Sequence, residues 1–129
     1  MISNTLLYRL WVGIGWFGVL LLIYLSLTPQ PPEIPIEQGD KFGHAFAYAM
    51  LTYWWAQVLP AAPQRLRLAG ALLALGIAIE YVQGWTGWRT FDYYDMLADA
   101  VGIALGWLIA SPRTPDLLLL LGDRARRSP

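Results

Sequence analysis

Four apolar stretches, at about 6–27, 42–59, 66–83 and 93–109, dominate the chain. A helix that crosses a bilayer needs ~20 mostly apolar residues, and each stretch is of that order. Strong helix breakers stand between them. The segment Thr28-Pro29-Gln30-Pro31-Pro32-Glu33-Ile34-Pro35 holds four prolines. Each lacks an N–H and fixes φ, so a helix ends there and an extended connection follows. Pro60 and Pro63 close the second stretch, Gly84 and Gly87 mark turns before the fourth, and Pro112 and Pro115 follow it. The expected fold class is all-α, an integral membrane four-helix bundle forming a single domain over 1–129. Five leucines follow Asp116 and precede Arg124, Arg126 and Arg127. They are too few to span a bilayer, and a short C-terminal interfacial helix is expected there.

Composition narrows the function classes. Apolar residues make up 57% and charged ones 14%, where a soluble domain carries ~25% charged; disorder is excluded. Nine basic and nine acidic side chains cancel, so no positive excess displaces counterions from a nucleic acid. The chain has no cysteine, which removes disulfides, thiol nucleophiles and cysteine zinc sites. Pro29 follows the first stretch with no Ala-x-Ala site, so that stretch is expected to persist as a span rather than a cleaved signal.

Alternation of four spans puts Arg9, Arg65, Arg67, Arg113, Arg124, Arg126 and Arg127 on one side. Short-loop arginines favour the cytoplasm. The expected localisation is the cytoplasmic (inner) membrane, multi-pass, with both termini inside. Seven arginines against Asp116 and Asp123 then lie within. Lys41 and Arg89 lie outward against Glu33, Glu37, Asp40, Glu80, Asp92, Asp95 and Asp99. A net charge of zero is thus two opposed charges separated by a membrane.

An ionisable side chain at mid-span costs at least ~2.5–3.5 kcal/mol, which makes it a functional candidate. Asp40, His44 and Tyr48 recur at i, i+4, i+8, and Glu80 and Gln83 at i, i+3. Asp92, Asp95, Asp99, Gly102 and Gly106 share one narrow helical arc. Gly102-x-x-x-Gly106 is a close-packing signature that turns this arc into the bundle. Three polar stripes are expected to converge on an outward-facing pocket beside Lys41 and Arg89. His44, Glu80 and Asp95 are the candidate catalytic residues. Asp40, Lys41, Gln83, Arg89, Asp92 and Asp99 are the candidate ligand-binding residues. Arginine pairs bidentately with carboxylate or phosphate, and histidine serves as base, metal ligand or proton relay. Each has a structural alternative: a buried Glu80–Arg89 ion pair, aspartates paired with Lys41, Arg89 and His44, and a hydrogen-bonded His44 beside a capping Asp40. Asp40 and His44 also suit a metal pair at i, i+4; no metal or cofactor is assigned. Gly13-x-Gly15-x-x-Gly18 spells a dinucleotide fingerprint without a preceding strand, so helix packing is expected there. Trp85 and Trp88 suit an interfacial belt or a sugar-stacking surface.

Ser26-Leu27-Thr28-Pro29, Asp40-Lys41-x-x-His44-x-x-x-Tyr48-x-x-Leu51, and Glu80-x-x-Gln83 followed by Arg89-x-x-Asp92-x-x-Asp95-x-x-x-Asp99-x-x-Gly102-x-x-x-Gly106 together resemble the VanZ-like family. The resemblance covers about 26–109. Many members carry Asn where Asp99 stands. It implies a small multi-span membrane protein of the cell envelope, and the family's namesake is associated with lower susceptibility to teicoplanin. Two functional expectations follow. One is a protein binding an anionic lipid or lipid-linked envelope precursor in the outward pocket, with the bilayer as its surroundings. The other is an embedded hydrolase or transferase acting on a lipid-linked phosphate, with Glu80 or His44 as acid–base group, Arg89 and Lys41 on the phosphate, and aspartates on Mg²⁺. A proton-coupled transporter is disfavoured, because the charges stop in the outer half.

Overall fold

The computed structural model describes residues 4–59 and 61–110. They form four helices, α1 (Asn4–Leu27), α2 (Gly39–Ala56), α3 (Ala62–Thr86) and α4 (Tyr93–Ile109). Each lies within a few residues of one apolar stretch, and no strand occurs among the described residues. The expected interfacial helix after Pro115 lies outside them. By length and composition, α1 and α3 are able to cross a membrane.

The breakers act locally. α1 ends two residues before Pro29, with Thr28 N–H donating to the Tyr24 carbonyl at 2.9 Å. The proline segment then folds back on the start of α2, through Ile36 N–H to Ile34 O (2.8 Å) and Gly39 N–H to Ile36 O (3.0 Å). The Ile34 carbonyl occupies the place a Gly39 side chain would need. Pro63 sits in the first turn of α3, where its missing N–H costs nothing. There the Gln64 side chain accepts from Ala61 N–H at 3.3 Å.

Gly84 departs from its expected role as a turn residue. α3 continues to Thr86, and Gly87, at φ 78, ends it in the left-handed conformation that glycine adopts without strain. Gly84 is small for another reason: Phe91 Cβ stands 3.3 Å from where its own Cβ would be.

α2 and α4 form the most extensive helix pair. Cβ atoms at Gly102 and Gly106 would collide with the Ala45 and Ala49 carbonyl oxygens of α2, so the small-residue arc brings the two backbones together. Gly15 and Gly18 of α1 admit Trp55 and Leu51 of α2, which is helix packing, while Gly13 faces open space. Trp11 stacks on Trp54 at 3.9 Å between centroids, and Trp54 Nε1–H donates to Trp11 O at 2.9 Å. The apolar core gathers Leu22, Tyr48, Leu51, Leu72 and Ile103 from all four helices.

The contacts set the directions. Gln83 Nε2–H donates to Ser26 O (2.7 Å) and Trp88 Nε1–H to Leu27 O (3.1 Å), so α1 and α3 end side by side. α2 and α4 run the opposite way and end side by side at Arg65. Its guanidinium donates to Ala56 O (3.0 Å), Leu59 O (3.1 Å) and Ala110 O (2.5 Å). The bundle therefore runs up-down-up-down. One end carries Arg65, and the other carries the acids, His44, Lys41 and Arg89.

Candidate functional site

Three helices bring the polar stripes together at that second end. α2 supplies Asp40, Lys41, His44 and Tyr48; α3 supplies Glu80 and Gln83; α4 supplies Asp95 and Asp99, with Asp92 as its N-cap. Glu80 is 0% and Asp99 1% exposed. Carboxylates so buried are costly unless their oxygens find partners.

His44 holds the centre. Its Nδ1 lies 2.8 Å from Asp99 Oδ1, and its Nε2 faces Asp95 Oδ2 at 3.8 Å. The other Asp99 oxygen lies in the space left by Gly76: a Cβ there would collide with Asp99 Oδ2 and stand 3.1 Å from the Tyr48 hydroxyl. Gly76 was missed in the sequence. The available signal is its place one turn before Glu80 on the same helix.

Lys41 bridges the acids at the rim. Its Nζ reaches Asp92 Oδ2 (3.0 Å), Asp40 Oδ2 (3.1 Å) and Asp95 Oδ1 (3.3 Å). Asp92 also accepts from Tyr94 N–H at 2.8 Å, the usual N-cap bond. The Lys41 ammonium, followed by the Tyr94 N–H, holds the Asp92 carboxyl below the usual carboxylate range. Asp92, first among its partners, raises Lys41 above the ordinary lysine value. The sign follows: a depressed carboxylate stabilises the fold above its unfolded pKa of ~3.9, and that contribution disappears as pH falls through the lower folded value. Acidification from pH 5 to pH 2 is therefore expected to lower the thermal midpoint more in the wild type than in Lys41→Met. Parallel pH profiles for the two would contradict the bridge.

Two sequence-based pairings differ from the observed ones. Glu80 does not pair with Arg89; its Oε2 accepts from Asp92 N–H at 3.0 Å, at the N-terminus of α4, where free N–H groups favour an anion. Asp40 does not meet His44; it pairs with Lys41 and is the most exposed acid of the set. Nor does it cap α2, which starts from Gln38 at φ 57. Spacing puts two residues on one face, but whether side chains meet depends on the neighbouring helix. Gln83 caps α1 through Ser26, a role its spacing did not reveal. Trp88 does the same through Leu27, while Trp85 is 81% exposed.

Several buried polar atoms have no hydrogen-bond partner: Tyr48 Oη, Glu80 Oε1, Gln83 Oε1 and Asp95 Oδ1, the last held only by its ion pair to Lys41. Such atoms are rare and mark places where water or a ligand completes the network.

Two cavities open beside the cluster. The larger, about 530 Å³, lies among the end of α1, the proline segment and the start of α2. Leu22, Leu25 and Ile34 contribute apolar wall, and His44 and Arg89 line it too. The smaller, about 360 Å³, is lined by Trp88, Arg89, Asp92 and Asp95 among others. Arg89 borders both and makes no ion pair or hydrogen bond among the described residues. The proline segment, read from sequence only as a linker, is a wall of the larger cavity. Chemically, the cluster is able to carry a proton between imidazole and carboxylate or hold a cation, and Arg89 is placed to hold an anion.

No protein-family model matches the chain, and no solved structure matches it. An uncharacterized protein of Schizosaccharomyces pombe is 29% identical over 94 residues, an alignment covering 70% of this chain and 58% of that protein. The chain thus spans less than two thirds of the relative's length. By sequence, the chain is similar to an uncharacterized protein of Schizosaccharomyces pombe over most of its own length.

Proposed function

We propose that the chain is a four-span membrane protein whose outward-facing pocket binds the phosphate of an anionic lipid or lipid-linked envelope precursor. Arg89 carries this reading. It is an unpaired guanidinium between an apolar cavity and a polar one, the arrangement an amphiphile needs for its chain and its phosphate. A guanidinium is also suited to bidentate phosphate contact.

The membrane part of the proposal rests on the outer surface. Trp16, Phe17, Leu20, Tyr24, Phe46, Leu66, Leu97 and Leu108 are all more than half exposed, and a soluble monomer rarely presents apolar surface on that scale. Arg65 and Arg67 lie at the far end from the acids, which fits a cytoplasmic side defined by arginines. The resemblance to the VanZ-like family adds a place in the envelope and, as part of the same proposal, a contribution to lower glycopeptide susceptibility.

Native mass spectrometry in mild detergent tests the reading with phosphatidylglycerol and phosphatidylcholine added in parallel. Losing a charge-assisted contact of ~1.5–3 kcal/mol corresponds to roughly tenfold to hundredfold weaker binding. Arg89→Ala is therefore expected to weaken phosphatidylglycerol retention by at least tenfold, and to weaken less the retention of phosphatidylcholine, whose phosphate is already offset by its own cation. Equal retention of phosphatidylglycerol by wild type and variant overturns the proposal.

A further inference from the structure

The cluster around His44 has a feature that anion binding at Arg89 does not use. His44, Glu80 and Asp95 each offer one ligand atom, and these atoms lie within 4.8 Å of one another. They come from three different helices, so the bundle fixes their separation. We propose that these three residues bind a single first-row divalent transition ion, with Asp99 orienting the imidazole from outside the coordination sphere.

Four observations support a metal rather than a self-contained hydrogen-bond network. Glu80 is fully buried, yet its Oε1 has no partner. Its Oε2 is already occupied by Asp92 N–H, so Oε1 is left as the ligand atom. His44 has one nitrogen held by a buried carboxylate at 2.8 Å and the other turned toward Asp95 at 3.8 Å. Metal-binding histidines are held this way, one ring nitrogen on a carboxylate and the other on the ion. Lys41 approaches Asp95 through Oδ1 and leaves Oδ2, the oxygen facing His44. Two ligands ~2.0–2.1 Å from a tetrahedral ion stand roughly 3.4 Å apart, so the 3.8 Å between His44 Nε2 and Asp95 Oδ2 needs only a small adjustment.

Charge and ligand type agree. Glu80, Asp95 and Asp99 are three buried carboxylates, and among the described residues Lys41 is the only lysine or arginine paired with any of them. A divalent ion offsets this excess. Magnesium and calcium favour all-oxygen shells, whereas an imidazole with carboxylates suits zinc, manganese or iron. Three protein ligands leave a coordination position open. His44 lines the larger cavity and Asp95 the smaller, so that position has access to both.

Metal content is read directly and does not depend on lipid binding, so this site and the lipid reading fail separately. Detergent-purified full chain is stripped with a chelator, then titrated with Co²⁺ followed by visible absorption, and with Zn²⁺ followed by elemental analysis after desalting. The expected result is one equivalent per chain and a cobalt d–d band indicating nitrogen and oxygen ligands. Glu80→Gln and His44→Ala are expected to lose the ion, while Asp99→Asn retains it about 10–100-fold more weakly. Because a variant of a buried residue can misfold, the wild type carries a second readout: a site-bound ion raises the thermal midpoint in proportion to its occupancy. A wild type that takes up no Co²⁺ or Zn²⁺ and shows no rise in midpoint overturns the proposal. So does a folded Glu80→Gln that binds as the wild type does.

Discussion

Replacing Gly102 by alanine is expected to lower the thermal midpoint sharply, and replacing Gly102 and Gly106 together to abolish the folded bundle in detergent. The new methyl at 102 meets the Ala45 carbonyl and stands 3.0 Å from Ala45 Cα; at 106 it meets the Ala49 carbonyl and stands 2.8 Å from Thr52 Cβ. These obstacles are mostly backbone and cannot swing aside. α2 and α4 must part, and overpacking of this kind costs about 1–3 kcal/mol at each site. Parting them also separates His44, next to Ala45, from Asp99, one turn before Gly102. Loss of stability is therefore expected to come with loss of the cluster. Gly13 and Gly70 supply the control, since a methyl at either meets nothing within 4 Å. In a helix interior, glycine to alanine there gains roughly 0.8–1 kcal/mol. Melts of all four single variants in one detergent, followed by helical circular dichroism, check this. A Gly102→Ala that melts at or above Gly70→Ala would refute the close α2–α4 approach.

Much of this architecture was legible because membrane-length apolar runs and prolines act locally. An apolar run of about 18 residues or more reads as a helix by its length, and a proline beyond the first turn stops one. Gly102-x-x-x-Gly106 even marked the closely packed face of α4, because only a missing side chain admits a neighbouring carbonyl, although that the carbonyls belong to α2 is seen only in the structure. The cluster was legible as a set of residues, since an acid within an apolar run has to be accommodated and periodicity gives its face. Its pairing was not. Glu80 takes the Asp92 N–H and leaves Arg89 alone because α4 begins with its free N–H groups beside α3, a tertiary placement that no spacing encodes. Asp40 and His44 share a stripe, but one turn of helix carries His44 inward to Asp99 and leaves Asp40 at the rim with Lys41. Gly76 and the proline-segment cavity stayed hidden for the same reason: each is defined by what another helix puts against it.

Arg65→Ala is expected to be the most damaging single change at the end of the bundle away from the cluster. The last carbonyls of a helix have no partner within it and carry its negative end. Arg65 answers both ends at once, donating to Ala56 and Leu59 at the close of α2 and to Ala110 at the close of α4. Hydrogen bonds to a charged group contribute ~1.5–3 kcal/mol each. Three in one fork are not additive, and a total on the order of 2–4 kcal/mol is expected. Lysine has a single ammonium in place of the planar fork, so Arg65→Lys is expected to recover less than half of the lost midpoint. The comparison with Arg67 separates two roles. Both arginines lie in the first two turns of α3 and would count equally in setting a membrane orientation, but Arg67 is exposed and has no ion pair or side-chain hydrogen bond among the described residues. If Arg65 acted only as a topological charge, Arg65→Ala and Arg67→Ala would melt alike and differ from wild type only in the accessibility of a reporter cysteine at the loop. The fork predicts the reverse: the same orientation in both variants, and a lowered midpoint in Arg65→Ala alone.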